Sequence, residues 1–152
     1  MKKLKSISEV TIIRFGLIFF WTCFWLLNVI DKFFSGETNF WVGKDRMAQF
    51  VNYYSSLGIE SSLLPQITLG FVTIVESLAF IFLLIALISY VTKRRRKAQK
   101  LFFWGTLMGL IIFSFFSLGD QVFGDRMELW EHTSYWVALL ISWAMYRYLP
   151  KK

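Results

Sequence analysis

The sequence predicts an all-α fold: an integral membrane four-helix bundle, one domain over residues 1–152, with an amphipathic periplasmic helix between the first and second spanning helices. Three observations carry this prediction. Hydrophobic residues make up 56% of the chain, above the roughly 45–50% of an ordinary soluble domain. They are gathered into four runs nearly free of charge, Ile12 to Ile30, Ile67 to Val91, Leu101 to Leu118 and Trp136 to Tyr148. A hydrocarbon core about 30 Å thick takes about 20 helical residues to cross, so runs of this kind suit membrane spans. The third observation is where the charge sits. Thirteen of the 17 basic residues precede or open the first run, separate the second from the third, or close or follow the fourth. Only Lys32, Lys44, Arg46 and Arg126 fall in the other two connections. That bias is the positive-inside signature and places both termini on the cytoplasmic side. The net charge of +7 therefore reads as topology rather than as a nucleic-acid surface. A β-barrel would show alternating segments of about ten residues, and none is present.

Taken in order, the first spanning helix is expected over about 11–34, closing at Ser35 and Gly36. The basic start followed by an apolar run resembles a secretory signal, but the run exceeds the 7–15 residues of a signal core and no small-residue cleavage site follows, so it reads as a retained helix. A long connection follows, and within it residues 45–57 predict an amphipathic helix. Met47, Phe50, Val51, Tyr54 and Leu57 fall on one side, and Asp45, Arg46, Gln49 and Asn52 on the other. A helix of this kind is expected to lie along the membrane surface. Pro65 suits a helix start, and the second span is expected over 66–92. The third, over 100–118, carries Gly105 and Gly109, a spacing of small residues that lets helix backbones approach closely in lipid. It is expected to end near Gly119 and Asp120. After an acidic loop over 121–128 comes the fourth, over 130–148, which needs its amphipathic lead-in, 130–135, to reach across.

Polar side chains within membrane helices are costly and mark candidate sites. Asn28, Asp31 and Lys32 close the first helix, Glu76 lies within the second, and Asp120, Glu131 and His132 flank the third connection. A rise of about 1.5 Å per residue brings these to the outer half of the bundle. They predict a polar pocket opening to the periplasm with Glu76 at its floor, holding a ligand or exchanging a proton. Asp31 and Lys32 read equally as an ion pair in the pocket or as a solvated helix end. Arg14 lies too deep to reach Glu76 and is expected to extend to the inner surface. His132 and Glu128 have the i, i+4 spacing of a metal pair, with Glu131 or Asp120 able to add an oxygen. A chain with one histidine, however, is poorly supplied with the nitrogen and sulfur ligands such sites use. No metal or covalent cofactor is expected. Trp21 and Trp25 suit either stacking on a quinone ring or packing. The basic run from Lys93 to Lys100 reads as a topology anchor, or as a contact for an anionic lipid or protein.

The single cysteine, Cys23, excludes a Cys-x-x-Cys redox pair. No phosphate-cradling glycine loop, nucleophile elbow, dinucleotide fingerprint or histidine pair for haem is present. These absences name no catalytic residue and argue against a self-sufficient redox enzyme.

The order of Arg14, Phe15 and Gly16, then Asp31, Lys32 and Phe33, then Phe50 to Tyr54, Ser56, Leu57 and Gly58, and finally Glu76 and the run Leu83 to Leu87 resembles the DoxX-like family of small four-helix bacterial membrane proteins. Asn28 and Glu60 stand where that family often has glycine and proline. The resemblance implies a bacterial inner-membrane protein that acts as a non-enzymatic subunit or accessory of a larger membrane complex, beside a quinone-dependent oxidoreductase. Two alternatives stand with it. One is a quinone-interacting redox component using Glu76 and Lys32, and the other is a small proton or solute carrier through the pocket.

Overall fold

The four apolar runs and the amphipathic segment all form helices: α1 (Glu9–Phe33), α2 (Arg46–Ser56), α3 (Leu63–Val91), α4 (Arg95–Phe123) and α5 (Arg126–Tyr148). A computed structural model describes residues 9–34 and 45–149, and no strand occurs among them. The expected stop at Ser35 and Gly36 lies outside the described residues. Three helices, α1, α3 and α4, are each long and apolar enough to cross a bilayer. Their outward sides match that reading, since Ile74 is 63% and Leu118 70% exposed. A surface of large apolar groups on this scale needs a cover other than water.

Helix ends follow local chemistry. Asp45 accepts a hydrogen bond from Ala48 N at 3.0 Å to start α2, and Asp125 accepts one from Glu128 N at 3.1 Å to start α5, each a side-chain cap for an otherwise orphaned N–H. Gly124, at φ +77°, closes α4 with its N–H on the Asp120 carbonyl, a left-handed stop suited to glycine.

Several boundaries differ from the sequence reading, with α3 starting at Leu63 rather than 66 and α5 at Arg126 rather than 130. The largest change is in α4, which runs from Arg95 to Phe123 rather than 100–118, because Lys and Arg are good helix formers and the break falls at Gly124 instead of Gly119. Most of the expected basic turn and acidic loop is therefore helical. The turn between α3 and α4 shrinks to the few residues around Lys93, at φ +61°.

Helix α3 occupies the centre, packing against α1, α2 and α4, while α5 packs on α4 and touches α1 only lightly. The two α4 glycines sit where neighbours come closest. A Cβ at Gly105 would lie 2.6 Å from Leu83 Cγ, and one at Gly109 would lie 2.5 Å from Leu139 Cδ2 and 2.9 Å from Trp25 Cζ2. Small residues at this spacing admit the side chains of three other helices into the centre of the bundle. Trp21 and Trp25 are almost fully buried in the core with Ile18, Phe102 and Ile112. Arg14 extends away from Glu76 to the far end of the bundle, where its guanidinium donates to Tyr146 O at 3.2 Å and to Leu149 O at 2.7 Å, satisfying carbonyls at the end of α5.

Candidate functional site

At the end of the bundle where α1 finishes and α5 begins, the helices part around a cavity of about 580 Å³. Four helices wall it and α2 covers it. Its sides are largely aromatic, with Phe24 from α1, Phe113 and Phe116 from α4 and Tyr135 from α5. Phe113 and Tyr135 stack at 5.6 Å, and Phe24 lies 5.1 Å from Tyr135. The polar groups converge from several elements.

Lys32 reaches from the last turn of α1 to Glu76 on α3, with Nζ 3.2 Å from Oε2 and both side chains almost fully buried. A lone charge at such a site would be very costly, and each partner makes the other tenable. Asn28, one turn before Lys32, donates to Phe24 O at 2.9 Å and lines the same wall.

Asp31 turns the other way. It accepts from Arg46 Nε on α2 at 3.2 Å, so neither of the two sequence alternatives describes the Asp31 and Lys32 pair: adjacent in the chain, they bind different partners. Asp31 is the one candidate residue that does not line the cavity, although Arg46 does.

On the opposite side, Asp120 Oδ2 lies 2.7 Å from His132 Nδ1, and the imidazole stacks on Phe116 at 4.6 Å. With Nδ1 engaged by the carboxylate, Nε2 is the ring nitrogen left for another group. Glu131 lines the rim, exposed.

Helix α2 is where the sequence reading and the structure part furthest. Arg46, Gln49 and Tyr53, assigned to water or left unassigned, turn into the cavity with Phe50 and Tyr54, while Val51 and Leu57 are 42% and 46% exposed. The helix roofs the cavity. Gln49 Nε2 donates to Tyr53 Oη at 2.7 Å and to Glu128 Oε2 at 2.8 Å. Tyr53 Oη donates to the carboxylates of Asp125, at 2.9 Å, and Glu128, at 3.1 Å. Arg46 Nη1 stands 3.8 Å from Glu128 Oε1, and Tyr54 Oη meets Thr68 Oγ1 of α3 at 2.7 Å. Burial pushes the Tyr53 phenol up, and the neighbouring Asp125 and Glu128 carboxylates add to the shift against the opposing hydrogen bond from Gln49. The phenol therefore keeps its proton and serves as a donor at physiological pH.

Asp120, Glu128 and His132 bring one ligand atom each within 4.8 Å of one another. The two carboxylates and one imidazole are chemically suited to a divalent ion. Glu128 also accepts from Gln49 and Tyr53 and faces Arg46, and Asp120 contacts His132. Trp21 and Trp25 do not line the cavity, so of the two sequence alternatives packing describes their place.

No family model, curated protein or solved structure matches this chain.

Proposed function

We propose that this is a multi-pass membrane protein of the DoxX-like kind that holds the ring of a quinone in its cavity and works as a non-enzymatic subunit or accessory beside a quinone-dependent oxidoreductase. The observation that carries this reading is the cavity: aromatic walls around about 580 Å³, with an ion pair at Lys32 and Glu76 on one side and His132 on the other. Such a site suits a flat, largely apolar molecule bearing polar groups at its edge. Quinone carbonyls accept hydrogen bonds, and the available donors are Lys32 and Asn28.

Four spans complete the reading. At 23 residues, α5 extends about 35 Å, enough to cross a bilayer once its polar first turn is placed at the interface. The distribution of Lys and Arg supports a bacterial inner-membrane protein with both termini in the cytoplasm and the cavity facing the periplasm.

The test is gentle purification from the native membrane with mass spectrometry of what accompanies the chain, followed by titration with decylubiquinone. A stoichiometric protein partner and saturable quinone binding, weakened about tenfold in Glu76→Gln, are the expected results. That factor corresponds to about 1.4 kcal/mol, the scale of one hydrogen bond to a charged group. A chain that runs alone removes the subunit role, and equal quinone affinity in the variant removes the cavity as the quinone site.

A further inference from the structure

A second depression, of about 440 Å³, lies at the far end of the bundle between α4 and α5. Arg96, Gln99, Lys100 and Phe103 of α4 line it with Trp143 and Arg147 of α5. Helical spacing accounts for its layering. Arg96 and Lys100 are one turn apart on one face, with Phe103 a turn further toward the bundle centre, and Arg147 stands one turn beyond Trp143 in the same sense. The two rings approach to 6.2 Å. Cations thus sit at the helix ends with aromatic rings just below them, and no acid lines the groove.

The other basic residues at this end make the contrast. Arg95 folds back onto the Tyr90 ring, its guanidinium carbon 3.6 Å from the centroid, and Arg14 is held by the α5 carbonyls. Arg96, Lys100 and Arg147 have no ion pair or hydrogen bond among the described residues. Three like charges drawn to one gap repel one another, and an anion between them turns that repulsion into attraction.

We propose that this groove binds the phosphate headgroup of an anionic phospholipid, whose acyl chains run down the α4–α5 seam past Phe103 and Trp143. The position at the ends of membrane-length helices and the aromatic floor beneath the cations favour a lipid over a soluble anion, which would use only the charged rim. The site takes the helices as membrane-spanning and is independent of what occupies the cavity.

Native mass spectrometry of the full chain in a neutral detergent, titrated with dioleoylphosphatidylglycerol, dioleoylphosphatidylcholine or inorganic phosphate, tests it. Phosphatidylglycerol should saturate at about one tightly held molecule per chain, phosphatidylcholine should not, and inorganic phosphate should not displace the lipid. The triple variant Arg96→Gln, Lys100→Gln, Arg147→Gln should bind phosphatidylglycerol about tenfold or more weakly. A second triple, Lys93→Gln, Arg94→Gln, Lys97→Gln, removes the same charge outside the groove and should bind as the wild type does. Equal weakening in both triples, equal retention of the two lipids, or displacement by phosphate would each overturn the proposal. If the groove triple does not fold, Lys100→Gln is compared with Lys97→Gln under the same criterion.

Discussion

The two ends of this bundle use the same charged residue types to opposite effect. At the cavity end the cations that line the cavity meet acids: Lys32 meets Glu76, and Arg46 meets both Asp31 and Glu128. At the basic end acids are scarce. There the charges settle on a ring, as Arg95 does, or on backbone carbonyls, as Arg14 does, or stay unpaired around a groove. The difference teaches that placement of the acids, rather than of the more numerous bases, decides which end can enclose a polar interior. A neutralised network can be roofed over, whereas an uncompensated one has to stay open to water or to an anion.

The sharpest way to break this comparison is at the buried pair. Lys32→Ala strands Glu76 without its cation and should cost about 3–5 kcal/mol, measured as a shift of the unfolding transition in mixed micelles. The double variant Lys32→Met, Glu76→Leu should recover most of that loss, because an apolar pair of similar volume needs no compensation. A double variant as unstable as the single one would show that the ion pair is not what the cavity end depends on. A smaller effect belongs to the basic end. Arg14→Gln gives up charged hydrogen bonds to two α5 carbonyls and should cost about 1–2 kcal/mol, with faster amide exchange confined to the last turn of α5. Exchange that quickened throughout the bundle would make Arg14 a global rather than a local fastening. Smallest of all, Arg95→Gln loses one cation–π contact at an exposed position, about 0.5–1 kcal/mol, seen as a shift in the same unfolding transition. A cost matching that of Lys32→Ala would erase the distinction between the ends.

How much of this was legible in the sequence depended on whether a residue's role is fixed within its own helix. The apolar runs gave the long helices because length and lack of charge are properties of one segment. The small-residue spacing of Gly105 and Gly109 marked a close approach for the same reason, and the rise along α3 was enough to bring Glu76 toward Lys32. The roof was not legible. On a helical wheel Arg46 and Gln49 stand on the polar side of α2, and polarity alone does not distinguish water from a polar cavity. Tyr53 and Asp125 carried no signal at all, since their roles come from α2 and α5 meeting across the gap. In the sequence Glu128 stands out by its spacing from His132, and in the structure it anchors the roof through Gln49 and Tyr53. The parting of Asp31 from Lys32 was equally hidden, because which of two neighbours faces which helix depends on where the third and fourth partners stand.

The uneven packing of α1 also bears on how the chain assembles. Contacts between α3 and α4, and between α4 and α5, join neighbours in sequence, whereas α1 reaches α3 only after the chain has passed through α2. Helices that insert one by one and then associate would complete the α3–α4–α5 hairpins through short connections, leaving the docking of α1 as the step with the longest loop to close. Lys32 travels with α1, so Glu76 meets its cation only in that step. Docking, ion pairing and enclosure of the cavity are then a single cooperative event, and a chain stalled before it would contain most of its helical structure and no cavity.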